Sequence, residues 1–204
     1  MINSSLVTTS KFPLQPSTDK GLWLVFDIET NGLFDDVTDT FCVVCHDLIN
    51  NQTHKFKPDQ VNQALKLLSK ADVLIGHNIL FYDLPVLNKL YKITFSARII
   101  DALVCTRLIW PKEVLYDLDD ELYQQVPIAL KGSASLKAWG YRLSNHKIDF
   151  KDFSEYSQEM LDYCVQDVMV TCNLLKYIIK QNYSQPALKL EPVSYTHLRA
   201  HETS

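Results

Sequence analysis

One short segment constrains the fold more than any other part of the chain. Residues 22–26 form an uninterrupted apolar run, Leu-Trp-Leu-Val-Phe, which the acids Asp27 and Glu29 follow at once. A run of this length that ends at a turn signal is typical of a central strand buried on both faces. Because Asp27 and Glu29 are two residues apart, a strand projects both side chains from one face. The segment therefore predicts a buried sheet with paired carboxylates at the end of its central strand.

The rest of the chain predicts an α/β fold with a mixed five-stranded sheet flanked by helices. Four further segments are expected to be strands: 40–48, 53–57, 72–76 and 98–100. Five segments are expected to be helices: 58–70, 84–91, 101–109, 135–140 and 154–179. Asp101 and Ser135 are placed as helix N-caps and Gly140 as the residue after a helix end. The acidic stretch 111–131 is expected to be a long surface loop.

Composition excludes several classes of protein. The chain has 204 residues, 20 Lys+Arg, 24 Asp+Glu and a net charge of −4, and its five glycines form no Gly-rich phosphate loop. The mild acidity argues against a protein that coats nucleic acid with a basic surface. Residues 1–20 lack the pattern of a secretory signal, and no long apolar segment occurs, so we expect a cytoplasmic, intracellular protein without a membrane partner.

Two possible metal or haem motifs are rejected. Cys42, Cys45 and His46 match the C-x-x-C-H pattern of haem attachment. However, the segment is apolar and β-branched, and a strand directs residues three apart to opposite faces. His197 and His201 have helical spacing, but the surrounding sequence is typical of a tail.

Further acids are expected to join Asp27 and Glu29. Asp83 follows a buried strand, and Tyr163 and Asp167 are four residues apart on the last helix, so they share one face. Four clustered carboxylates repel one another unless cations lie among them, and such hard oxygen ligands select Mg²⁺ or Mn²⁺. Two ions are the usual device for hydrolysing a phosphodiester, with Tyr163 orienting the water. The alternatives are that Asp83 caps its helix and that Tyr163 belongs to the core.

The three motifs, taken in order, resemble those of a known enzyme family. Asp27-Ile28-Glu29, then Asn78 to Asp83, then Tyr163 to Asp167 are similar to the three exonuclease motifs of DEDD-type 3′→5′ exonucleases. The tyrosine in the third motif is that of the DEDDy branch, which includes the proofreading domains of family A DNA polymerases. The segments 100–109 and 136–143 also resemble the exonuclease region of phage replicative polymerases.

The resemblance implies a ribonuclease H-like fold and two Mg²⁺ ions, for which Mn²⁺ can substitute. It implies that Asp27, Glu29 and Asp167 ligate one ion, that Asp27 bridges to the second and that Asp83 supports the second. Tyr163 then positions the nucleophile. The expected contacts to the 3′ end of single-stranded DNA are Thr30, Asn31, Leu33 and Asn78. The phosphates are expected to be followed by four basic residues, Lys131, Lys137, Arg142 and Lys147, with Trp139 and Tyr141 nearby. The alternative, that Trp139 is a core residue and the lysines are ordinary surface residues, is equally favoured.

The resemblance covers only part of a polymerase. We expect a flexible segment at 1–20, the exonuclease domain at 21–182 and a disordered or artefactual tail at 183–204, so that the chain is a polymerase fragment or the product of a truncated gene. A polymerase domain or a processivity factor is a possible partner. Two alternatives to proofreading remain open, namely an exonuclease acting on RNA or short oligonucleotides and an inactive module that only binds nucleic acid or a polymerase.

Overall fold

The computed structural model describes residues 21–145 and 150–180. Its strands are β1 (Trp23–Thr30), β2 (Thr40–Asp47), β3 (Gln52–Phe56), β4 (Val73–Gly76) and β5 (Arg98–Asp101). Its α-helices are α1 (Val61–Leu68), α2 (Asp83–Tyr91), α3 (Ala102–Ile109), α4 (Lys112–Glu121), α5 (Leu136–Arg142) and α6 (Gln158–Lys180). The segments predicted at 1–20 and 183–204, together with Lys147, His197 and His201, lie outside the described residues.

The five strands form one mixed sheet with β1 at its centre. The strand order is β3-β2-β1-β4-β5. β1 pairs antiparallel with β2 and parallel with β4, while β3 and β5 form the two edges. The antiparallel part is the predicted meander of the first three strands. The observed sheet therefore confirms the predicted α/β architecture.

Each face of the sheet has its own apolar core. Alternate residues of β1 separate cleanly, with Trp23 and Val25 in the core beneath α6 and Leu24 and Phe26 in the core beneath α1 and α2. The same alternation places Cys42 and Cys45 of β2 in opposite cores. The haem motif is thereby excluded on geometry. Asp27 and Glu29 follow Trp23 and Val25 on the face of β1 that packs against α6.

The end of β1 carries a local irregularity. Glu29 pairs with Cys42, but the next residue, Thr30, pairs with Thr40, so that one residue of β2 is skipped. A bulge of this kind increases the local twist and changes the direction of the strand. It lies at the point where the acids leave the core.

Two details of the predicted elements are wrong. Residues 111–131 are not one loop, since they contain α4 and a short 3₁₀ helix at Ile128–Leu130. The helix forms because Leu115 and Asp119, one turn apart, are both buried. Gly140 does not end its helix, which continues to Arg142 and is followed by Ser144 in the left-handed conformation, with φ of 53°. The burial of Arg142 extends the helix past the glycine.

Among the helices of the described residues, none combines the length and the apolar character that a membrane crossing requires.

Gly76, at the end of β4, is expected to tolerate no side chain. A Cβ atom there would lie 2.2 Å from Cγ2 of Ile79 and 2.9 Å from the carbonyl oxygen of Phe26. Gly76→Ala should therefore lower the free energy of unfolding by about 1–3 kcal/mol, measured by urea denaturation. Gly32→Ala is the control, because its new Cβ would meet nothing closer than 3.5 Å. Equal urea midpoints for the two variants would contradict this account of β4 packing.

Candidate active site

An open cleft lies at the ends of β1 and β4 and has a volume of about 460 Å³. Asp27 of β1 and Asp167 of α6 line one side, and His77 and Asn78, which follow β4, line the base. The segment 133–136 and the α3 residue Arg107 form the opposite side. In α/β sheets, ligands bind at the carboxyl ends of strands, where loops diverge. The position of this cleft agrees with that rule.

In the described part of the chain, Asp27, Glu29 and Cys164 form a group of potential metal ligands. One ligand atom from each lies within 4.8 Å of the other two. The Sγ atom of Cys164 donates to Oδ2 and to the backbone oxygen of Asp27, both at 3.5 Å. Cys164 is not among the site residues that the sequence predicts, although its position three residues before Asp167 places both on one helix face.

The chemistry of this group favours a hard cation. Burial, supported by a hydrogen bond with Cys42 and by the charges of Asp27 and Glu29, raises the pKa of the Cys164 thiol well above its ordinary value. Without a bound cation, the thiol therefore keeps its proton. The remaining donors are carboxylate oxygens, which suit Mg²⁺ or Mn²⁺ better than Zn²⁺. The donor set fits the divalent cation that the sequence predicts.

Asp83 approaches the same strand from the α2 side. Its Oδ1 accepts a hydrogen bond of 3.2 Å from the backbone N–H of Ile28, and only 3% of the residue is exposed. The pKa of Asp83 is raised from 3.8 to about 7, first by burial and then by the charges of Asp101 and Asp167, against two backbone hydrogen bonds that lower it. The structure therefore couples Asp83 electrostatically to Asp167, across the end of β1.

Asp101 organises the base of the cleft. Its buried carboxylate caps α3 by accepting from the N–H groups of Leu103 and Val104, as the sequence predicts. The same carboxylate accepts from the N–H groups of Asn78 and Leu80, each at 3.0 Å. Asn78 adopts the left-handed conformation, with φ of 70°. A single acid thus fixes both the helix and the loop that presents Asn78, a second role that the sequence analysis missed.

The predicted contacts after β1 belong to a restrained loop. The hydroxyl of Tyr82 donates to the carbonyl of Gly32 at 2.6 Å and is hydrogen-bonded to Thr30. The amide of Asn31 holds the far side of the loop through Thr38 and Asp39.

Two further contacts hold the tip of this loop. Lys89 of α2 donates to the carbonyls of Phe34 and Asp35 at 2.6 and 2.8 Å. Leu33 projects from the same tip with 77% of its surface exposed. The loop therefore presents an apolar side chain to solvent on a fixed backbone.

The wall opposite the acids depends on a buried ion pair. Arg142 of α5 donates through Nε and Nη2 to the two carboxylate oxygens of Asp119, both at 2.7 Å, and neither side chain is exposed. Asp119 also accepts from the N–H of Gly132, and Arg142 donates to the carbonyl of Ser133. The pair fixes the segment that lines the cleft.

This geometry changes the interpretation of three predicted residues. Arg142 is committed to Asp119 and to the face of Trp139, 4.7 Å from its ring centroid, so it cannot follow the phosphates of DNA. Trp139 is a core residue with 1% exposure. Lys137 is partly buried on α5, next to the cleft residue Leu136.

Tyr163 lies one turn before Asp167 on α6. Its ring packs against Phe150 and Phe153, with centroid distances of 5.7 and 6.2 Å. Both phenylalanines belong to the segment that leads into α6. The position of Tyr163 therefore depends on that segment as well as on the helix.

Comparisons with known proteins agree with this architecture. A family model described as the RNase H superfamily matches residues 24–179. The chain is 32% and 31% identical, over 205 residues, to the DNA-directed DNA polymerases of Enterobacteria phage T3 and Escherichia phage T7. These matches cover 85% of this chain but 29% of each polymerase, so the chain spans less than a third of their length.

A solved structure described as the apo form of a nuclease has a TM-score of 0.51 with 15% identity, over 78% of this chain and 72% of that one. At this identity the likeness concerns the fold alone. Together with the family match, it confirms the predicted ribonuclease H-like fold. The polymerase matches confirm the resemblance to the exonuclease region of phage DNA polymerases.

The raised pKa of Asp83 predicts a pH-dependent stability in the absence of metal. The unfolded carboxyl ionises near pH 3.8 and the folded one near 7, so the folded state loses stability as the pH rises through this interval. Asp83→Asn removes the titration while its Oδ1 can still accept from Ile28. In EDTA, the variant should gain stability over the original protein between pH 4 and 7.5, by about 4 kcal/mol at most. The free energy of unfolding of both proteins is measured by urea denaturation at each pH. If it changed equally with pH in the two proteins, the raised pKa of Asp83 would be contradicted.

Proposed function

Because the chain belongs to the ribonuclease H superfamily, we propose that it is a metal-dependent nuclease that removes nucleotides from the 3′ end of single-stranded DNA. The observation that supports this most strongly is that Asp27 and Asp167 line one open cleft at the end of β1, while a carboxylate oxygen of Glu29 lies within 4.8 Å of one of Asp27. The 3′→5′ direction and the DNA substrate come from the order and identity of the three motifs. The nuclease class comes from the family.

The carboxylates of Asp27, Glu29 and Asp167 are proposed to hold one Mg²⁺ ion, and Asp27 and Asp83 a second. Bound ions of this kind activate water and neutralise charge on the leaving oxygen. The protein contributes the arrangement of the acids. Asp27 and Glu29 share a rigid strand, and the thiol of Cys164 donates to Asp27, which restrains its orientation. The mutual repulsion of the acids favours cation binding in the folded state.

The remaining site residues are proposed to position the reacting groups. The hydroxyl of Tyr163 orients the attacking water. Asn78, in a strained backbone conformation that Asp101 maintains, contacts the terminal nucleotide from the base of the cleft. Thr30 at the end of β1, with Asn31 and the exposed Leu33 of the loop that follows, contacts the terminal bases.

We further propose that the activity serves proofreading during DNA replication. The similarity to two phage DNA polymerases supports this, because such an activity acts beside a polymerase domain. The partner is then a polymerase domain or a processivity factor. A nuclease that binds a few terminal nucleotides through cations does not need an extensive basic surface. The net charge of −4 is therefore compatible with this function.

The activity test uses single-stranded DNA labelled at either end, with Mg²⁺ or Mn²⁺. We expect a ladder of shortening products from the 5′-labelled strand and immediate release of a labelled mononucleotide from the 3′-labelled strand. The double variant Asp27→Ala, Glu29→Ala should lose activity by about 10³-fold, since several kcal/mol of transition-state stabilisation depend on these ligands.

A matched control removes two exposed acids that line neither cavity, Asp59→Ala and Glu121→Ala, and should keep full activity. Equal activity in the two double variants would refute the proposed site. The rates of cleavage of DNA and of RNA of the same sequence are then compared. Faster cleavage of RNA would contradict the proofreading role and favour an exonuclease that acts on RNA or short oligonucleotides.

A further inference from the structure

A second cavity continues the cleft away from the acids. It has a volume of about 580 Å³ and shares Arg107, Ser133 and Ala134 with the first. Its other walls come from the start of α4 and from the segment 129–132. Each volume is that of an ordinary small-molecule site, roughly 300–1,000 Å³. The two cavities thus form one path that leads from Asp27 and Asp167 to α4.

The charge along this path changes sign. The acids occupy the end near β1, whereas Arg107, Lys112 and Lys131 line the second cavity. Lys131 is paired with Asp120. Arg107 and Lys112 are exposed, and within residues 21–145 and 150–180 neither makes an ion pair or a side-chain hydrogen bond. Two cations are therefore available to an anion that enters the path.

The position of Lys112 in its helix does not favour a positive charge. It is the first residue of α4, where the helix dipole opposes a cation. Its position on the rim of the cavity places that charge beside the path. Arg107 lies where the two cavities join, and its planar guanidinium is suited to a phosphate.

We propose that the second cavity is a binding site for the phosphodiester backbone of single-stranded nucleic acid upstream of the scissile bond, with Arg107 and Lys112 as its phosphate contacts. This inference rests on the proposed function, because it takes the 3′-terminal nucleotide to lie beside the acids. The strand then leaves the cleft past Arg107 and runs along the start of α4. The site binds phosphate and carries no base specificity.

Substrate length tests the proposal. Lys112 lines only the second cavity, so its contribution should grow as the strand becomes long enough to reach it. Lys112→Ala should raise KM about five-fold for an eight-nucleotide DNA strand and less than two-fold for a dinucleotide, with kcat within about two-fold. Arg107→Ala should affect both substrates, since Arg107 lines both cavities. For the long strand, each variant should also reduce the dependence of log KM on log salt by about 0.7, the value for one phosphate contact of a single strand.

The control is Lys66→Ala, which removes an exposed lysine from α1 on the opposite face of the sheet and should change neither substrate. Unchanged KM for the eight-nucleotide strand in both Arg107→Ala and Lys112→Ala would overturn the proposal. It would indicate that the strand leaves the cleft on another side, such as past Leu33.

A binding measurement separates this inference from the proposed activity. Fluorescence anisotropy of a labelled eight-nucleotide strand measures its dissociation constant without hydrolysis. The two proteins compared are Glu29→Ala and the combined variant Glu29→Ala, Lys112→Ala. A dissociation constant five-fold higher in the combined variant than in Glu29→Ala alone supports the path. It does so even if the original protein cleaves nothing, and in that case only the nuclease proposal fails. Equal dissociation constants refute the path, whatever the activity.

Discussion

The burial of several like charges at the end of one central strand is the constraint on which the rest of this structure depends. Asp27 and Glu29 continue the face of β1 that carries Trp23 and Val25 into the core beneath α6. Asp83 is almost fully buried and holds a proton far more tightly than an ordinary aspartate. Such an arrangement opposes folding, so apolar contacts elsewhere must outweigh it. The two cores on either face of the sheet supply those contacts, and a bound cation would remove the repulsion that remains.

Two other buried acids show how the protein treats a carboxylate that has a structural role. Asp101 accepts hydrogen bonds from four backbone N–H groups, and Asp119 is matched by the guanidinium of Arg142 and the N–H of Gly132. Each of them joins segments that are distant in sequence, one at the base of the cleft and one at its wall. The acids of the site have fewer such partners: Asp83 accepts from the backbone N–H of Ile28, and the charges of Asp101 and Asp167 both raise its pKa. The contrast separates acids that build the cleft from acids that are available to a cation.

The uninterrupted apolar run before Asp27 was enough to predict the central strand, and the two-residue spacing of Asp27 and Glu29 predicted that they share a face. The spacing of Tyr163 and Asp167 likewise predicted their shared helix face. The sequence could not indicate that Arg142 is buried, because an arginine is normally exposed, and its partner Asp119 lay in a segment whose acidity suggested a loop. It gave no sign that Asp101 accepts from Asn78 and Leu80, since that contact exists only once β4 and β5 are paired. Local pattern thus predicted the elements, whereas the contacts between elements required the structure.

The alternation of β1 also bears on how the chain selects one strand pairing over another. Leu24 and Phe26 fill one core while Asp27 and Glu29 leave the other, in the pairing where Glu29 lies opposite Cys42. Sliding β1 by one residue against β2 would turn both carboxylates into the apolar core beneath α1 and α2. Burying a carboxylate without a partner costs several kcal/mol, so the misaligned sheet would be strongly disfavoured. The acids proposed for catalysis therefore also favour the native register of β1 and β2 over the register shifted by one residue.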